Sequence, residues 1–100
     1  MKKLEIAINL IVNDIKEDLN GYYSDREINA WSEYLEETGR DSSEFKADVY
    51  YILMKYSNEN NVNVFLNDSY ELELENGEIV SYRKIMNMVR KQLKAEGYFA

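Results

Sequence analysis

The sequence predicts an α+β domain of order ααα-βββ-α: three N-terminal helices, a small three-stranded antiparallel meander and a C-terminal helix. Three observations lead there. Apolar residues recur at helical spacing in three stretches between residues 2 and 56 and again after 82. The period drops to two between Val62 and Val80. Asn76-Gly77, the strongest short hairpin signal, falls inside that stretch.

Leu4, Ile8, Ile11, Ile15 and Leu19, widened by Ala7 and Val12, place the first helix over 2–19, with Gly21 as its cap. Ser24-Asp25-Arg26-Glu27 matches a capping box: the serine oxygen accepts from the third helical N–H, and Glu27 reaches back to the serine N–H. Tyr23 and Ile28 flank it as a hydrophobic staple. A second helix is therefore expected from Asp25 to about Glu37, with Ile28, Trp31 and Leu35 inward and Gly39 ending it. Asp41-Ser42-Ser43-Glu44 opens a third by the same chemistry, with Phe45, Val49, Ile52, Leu53 and Tyr56 as its stripe. Ser57-Asn58-Glu59-Asn60-Asn61 reads as a turn. Val62, Val64 and Leu66 then alternate with Asn63 and Phe65 as a first strand. Tyr70, Leu72 and Leu74 alternate with Glu71, Glu73 and Glu75 as a second, and Glu78-Ile79-Val80 returns as a third. Ser81 caps a last helix over 82–96, with Ile85, Met86, Val89 and Leu93 inward and Gly97 beyond.

One hundred residues fit a single compact domain, 1–100. The absence of cysteine excludes disulfides, thiolate zinc sites and cysteine nucleophiles, and suits a reducing compartment. The absence of histidine removes the commonest general base and transition-metal ligand, leaving only all-oxygen metal binding, for which no EF-hand spacing exists. There is no GxSxG, no glycine-rich phosphate loop and no GxGxxG. Asp14 and Asp18 form a carboxylate pair, but on a helix expected to be exposed and without a pocket. The expectation is a non-enzymatic protein with no cofactor. Lys2 and Lys3 precede an apolar stretch as in a secretion signal, yet Glu5, Asn9 and Asn13 interrupt it. No run approaches the roughly 20 apolar residues of a membrane span. The expected location is the cytoplasm of a bacterial host, without a membrane partner.

Charge is the most informative global feature. The net charge is −7, and it is unevenly placed. Residues 1–81 hold 7 basic and 18 acidic side chains, a balance of −11; residues 82–100 hold 5 and 1, a balance of +4. Glu71, Glu73 and Glu75, with Glu78 across the turn, form a row on one strand face at a spacing of about 6.7 Å. Like charges in line oppose folding, so a phosphate-mimicking surface is one reading; the solvated, edge-blunting side of a strand is the other. Asp25, Glu33, Glu36, Glu37, Asp41, Glu44 and Asp48 make a second acidic region. There Glu36 and Glu37 sit at a helix C-terminus that disfavours them, as charges kept for a partner would. Arg83, Lys84, Arg90, Lys91 and Lys94 make the last helix basic. Its expected role is internal, offsetting acidic neighbours; contact with phosphates through Arg83, Lys84, Arg90 and Lys91 is the alternative. Nine tyrosines exceed what a small core needs, and Tyr50 and Tyr51 point to different sides of one helix.

In size, charge and lack of histidine and cysteine, the chain resembles the small acidic proteins of phages and mobile elements, including anti-restriction and anti-CRISPR inhibitors. The likeness is one of kind and transfers no positions. It implies a protein-binding inhibitor that occupies the basic groove of a nucleic-acid-binding enzyme, of host defence or DNA processing. Glu71, Glu73, Glu75, Glu78, Glu36, Glu37, Asp41 and Tyr51 are the candidate contacts. A small regulator or accessory factor that contacts nucleic acid or a nucleoprotein through the basic last helix is the alternative, and direct nucleic-acid binding is the lesser expectation. As monomer or homodimer, the chain could also serve as an oligomeric module pairing through its first helix.

Overall fold

The helical stripes of the sequence form as expected where they are longest. The computed structural model describes residues 3–21, 23, 28–40 and 43–99. Helix α1 runs Lys3–Asn20, α2 Trp31–Thr38, α3 Ser43–Asn60 and α4 Tyr82–Ala95; strands β1 (Leu72–Glu73) and β2 (Ile79–Val80) lie between α3 and α4. Helix α1 is central and packs against both α3 and α4. Its Ile6, Ala7, Ile8, Ile11, Val12 and Ile15 are buried, so the apolar stripe is consumed inside the monomer. Phe45, Val49 and Leu53 of α3, and Ile85, Val89 and Leu93 of α4, complete the helical part of the core. At roughly 1.5–3 kcal/mol per buried Val, Leu, Ile or Phe, these stripes are the main stabilising term.

Ser81 caps α4 as expected, its side chain accepting from the Lys84 N–H at 3.2 Å. The other end closes in a Schellman motif: Tyr98 N–H donates to Leu93 C=O (3.0 Å) and Gly97 N–H to Lys94 C=O (3.1 Å). Gly97 stands at φ +98°, a conformation that only glycine adopts cheaply. The chain then folds back and buries Phe99 against Trp31 and Tyr34, each ring 5.6 Å away.

Helix α2 is shorter than expected. Ile28, Asn29 and Ala30 are not helical, and Ala30, the N-cap, offers no side-chain hydrogen bond. The proposed capping box at 24–27 and the Asp41-Ser42 cap lie outside the described residues. Ile28, Trp31 and Leu35 face the core as expected but are only partly buried, and Tyr34, which is not expected there, is the fully buried residue of α2. Helix α3 is longer than expected. The Ser57–Asn60 run is its last turn, and Asn61, at φ +53°, ends it. Asparagine tolerates that left-handed position, which is why a turn-like composition closes a helix here.

The three-stranded meander does not form. Among the described residues there is one two-stranded antiparallel sheet, in which Leu72 pairs with Val80 and Glu73 with Ile79. The segment 62–66 meets β1 at a single bridge, Leu66 with Leu72. The reason is local. The Ser57 hydroxyl at the end of α3 accepts from the Val64 N–H (2.7 Å) and faces the Val64 and Leu53 carbonyls at 2.5 and 2.9 Å. Both backbone groups of Val64 are thus satisfied by a helix side chain, and the segment is held to α3 instead of extending a ladder. Among the described residues the fold is mainly helical, with a two-stranded hairpin in place of the expected three-stranded meander.

Candidate functional site

Two turns of the same kind bracket β1. In Leu74–Glu78, the Gly77 N–H donates to Leu74 C=O (3.0 Å), the Leu74 N–H donates to Glu78 C=O (2.8 Å), and Gly77 is left-handed at φ +85°. Asn76 does not have positive φ, so Asn76-Gly77 forms a type I turn closed by a left-handed glycine, not the expected two-residue hairpin turn. In Asn67–Glu71 the same pattern recurs: Tyr70 N–H to Asn67 C=O at 2.9 Å, and Asn67 N–H to Glu71 C=O at 2.8 Å. Here the left-handed position holds Tyr70, at φ +59°. That costs about 1–2 kcal/mol. The Asn67 side chain offsets it, its Oδ1 accepting from the N–H groups of Ser69 (2.9 Å) and Glu71 (3.0 Å). Lys46 Nζ lies 5.9 Å from the Tyr70 ring and 5.6 Å from that of Tyr82.

These turns decide where the expected acidic residues stand. Only Glu73 is on a strand; Glu71 ends the first turn, Glu75 lies within the second and Glu78 ends it. The evenly spaced row is therefore not formed. Glu73, Glu75 and Glu78 are exposed, whereas Glu71 is half-buried, its carboxylate 3.4 Å from Asn67 Nδ2. Across the outward face, Glu73 is flanked by Ile79 of β2 and, by continuation of the Leu66–Leu72 register, by Phe65. Ile79 is 47% and Phe65 45% exposed. Alternation hides Leu66, Leu72 and Val80 beneath.

This face continues onto α3. A hollow of about 440 Å³ is lined by Tyr50, Met54, Ser57, Val62 and Phe65 among others. Next to it, sharing Tyr50, a second of about 240 Å³ is lined by Tyr51, Asn67, Asp68 and Tyr70. A third, of about 340 Å³, links Phe65 and Asn63 to Glu73 and Glu75. Tyr51 is 62% exposed and packs edge-on against Tyr50 at 5.8 Å. Tyr51 and Glu73 thus belong to one continuous aromatic and acidic surface, whose apolar part is Val62, Phe65 and Ile79; of these, Val62 is expected on the inward phase of its strand. Glu36 and Glu37, exposed on α2, line none of these hollows. Asp41 lies outside the described residues.

Asp14 and Asp18 are not a free carboxylate pair on an exposed helix. Arg40, only 18% exposed, bonds Asp14 Oδ2 at 3.0 Å and Asp18 Oδ2 at 2.9 Å and lies 4.7 Å over the Phe45 ring. The Tyr34 hydroxyl donates to Asp18 at 3.2 Å. Burial pushes that hydroxyl well above the usual phenol range, with Arg40 opposing the shift and Asp18 adding to it. The group joins α1 to α2 and the following turn, a structural use that the sequence spacing alone does not show. Among the described residues, no group of three or more acidic side chains is placed to hold a metal ion.

The basic side chains of α4 all reach solvent. Arg83, Lys84, Arg90, Lys91 and Lys94 are exposed, and none makes an ion pair among the described residues. Between α1 and the C-terminal end of α4 an ion pair uses a cation of α1: Lys16 with Glu96, at 2.8 Å.

No helix among the described residues is long and apolar enough to cross a membrane. Compared with protein-family models, curated proteins and solved structures, the chain matches none.

Proposed function

We propose that this protein is a non-enzymatic binding protein that inhibits a nucleic-acid-binding enzyme, of host defence or DNA processing, by covering its cationic site. The observation that supports it is the surface on which Phe65, Ile79, Tyr50 and Tyr51 stand beside Glu73, Glu75 and Asp68. Exposed aromatic and aliphatic groups supply contact area at a protein interface, and flanking carboxylates steer and orient a basic partner. The partner's Lys/Arg-lined groove is the complement of this surface and of the −11 balance of residues 1–81. In this reading the glutamates act as a rim around an apolar centre, rather than as a regular ladder copying a phosphate backbone.

The test is affinity purification from cells that express the tagged protein, comparing wild type with Glu73→Lys/Glu75→Lys and with Phe65→Ala. The expected result is a nucleic-acid-binding protein retained by wild type, displaced by added DNA, and lost with either variant. Equal retention by all three baits, or retention that DNA does not displace, contradicts the reading.

A further inference from the structure

The basic end of the molecule carries a site of different character. A cleft of about 400 Å³ between the start of α2 and the C-terminal half of α4 is lined by Ala30, Trp31, Arg90, Lys91, Lys94 and Phe99. Trp31 and Phe99 give it an aromatic lining, and among the described residues its side chains include three cations and no acid. Arg90 and Lys94 stand one turn apart on α4, about 6 Å along the axis. All three cations are exposed and lack an ion-pair partner among the described residues. Trp31 is half-buried and held in place by Phe99, edge-on at 5.6 Å, and by Tyr34 at 5.8 Å. A fixed indole beside exposed cations is the pairing that takes a planar base together with its phosphates.

We propose that this cleft binds single-stranded nucleic acid. A duplex keeps the faces of its bases stacked inside, whereas a single strand presents them to an aromatic surface. An acidic peptide would satisfy the cations and leave the aromatic lining without a planar partner. The acidic remainder of the chain limits the affinity and confines contact to this end, because its repulsion is screened beyond about 10 Å at 0.1 M salt. The cleft shares no residue with the aromatic and acidic surface, so this proposal stands independently of the inhibitory role.

Trp31 is the only tryptophan, so its fluorescence reports on the cleft directly. The experiment titrates the whole 100-residue chain with an oligothymidylate over a salt series starting at about 0.1 M. The expected result is saturable quenching, with the logarithm of the affinity falling against that of the salt concentration at a slope of about −2. That is the value for three phosphates on a single strand. Arg90→Glu/Lys94→Glu should weaken binding at least roughly tenfold with an unchanged circular dichroism spectrum. Lys91→Glu should weaken it to a lesser extent. Absence of quenching, equal binding by the double variant, or equal affinity for polyglutamate or for duplex DNA overturns the proposal. Binding of thymidine monophosphate as tight as that of the oligomer also overturns it, since the cleft would then be a nucleotide pocket.

Discussion

Glu73 faces Ile79 across the β1–β2 pair, and both side chains point to solvent. A half-exposed isoleucine beside an exposed carboxylate contributes less to the fold than a buried one, since only part of its surface is removed from water. Ile79→Ala and Phe65→Ala are expected to change stability by less than about 1 kcal/mol, against the 2 kcal/mol or more lost at a buried aliphatic such as Leu72. Urea unfolding of the three variants checks this. Losses at Ile79 and Phe65 as large as that at Leu72 would mean that these side chains are core, not contact surface.

Ser57 holds the 62–66 segment to α3. Val64 is fully buried, and Ser57→Ala leaves its N–H and C=O without their observed partner. The expected cost is about 1–3 kcal/mol per unsatisfied group, large for a change that removes one oxygen. Urea unfolding measures it, and amide hydrogen exchange at Val64 should quicken in the variant before exchange in α1 does. Ser57→Thr, which retains the hydroxyl, should restore most of the loss.

This same contact shows what the sequence can and cannot carry. Helices α1, α3 and α4 are legible because each repeats an apolar residue every three to four positions, and Ser81 marks the start of α4 correctly. The alternation at Val62–Leu66 is equally clear, and Val64 and Leu66 are indeed buried. Alternation reports which side chains face the core, but not which group takes the backbone hydrogen bonds; a serine seven residues earlier takes them. Phe99 is illegible for a similar reason, since its burial depends on Trp31 and Tyr34, more than 60 positions away. Of the contact surface, the carboxylates and Tyr51 are visible in sequence. Phe65 is visible too, since it shares the outward phase of Asn63, whereas the exposed Val62 and Ile79 are not, because an outward apolar residue on a short hairpin has the same pattern as an inward one. Tyr70 in a left-handed turn is masked too, since turn rules favour glycine there.

Tyr34 makes stability fall at alkaline pH. Burial raises its folded-state value above that of an unfolded tyrosine, near 10. Burial does the same to Tyr82, with Arg40 opposing and Asp48 adding to the shift. The neutral hydroxyls are therefore favoured by the fold. Their contribution is complete below pH of about 10 and is lost as pH rises toward the folded-state values, because the unfolded chain releases protons first. Each such group should steepen the decline by up to about 1.4 kcal/mol per pH unit. Denaturant unfolding at stepped pH measures the slope. Tyr34→Phe should flatten it even though it removes the bond to Asp18, and an unchanged slope would contradict the burial of this hydroxyl.

Phe99 sits where the tail returns to the core, at φ +56° and only 8% exposed. A phenylalanine adopts that backbone only if its ring is repaid by packing, which Trp31 and Tyr34 supply. Phe99→Ala keeps the unfavourable backbone and removes the ring. The expected loss is about 3 kcal/mol, at the lower end for a buried aromatic because the site opens onto the surface cleft and relaxes partly. Phe99→Leu should cost less than half as much, since it refills most of the volume. The sole tryptophan provides a second readout: without its edge-on neighbour, the Trp31 emission should shift to the red in the folded state. A large loss of stability with unchanged emission would place the effect in the tail's Tyr98–Asn20 hydrogen bonds (2.9 and 3.2 Å) instead of in the aromatic contact.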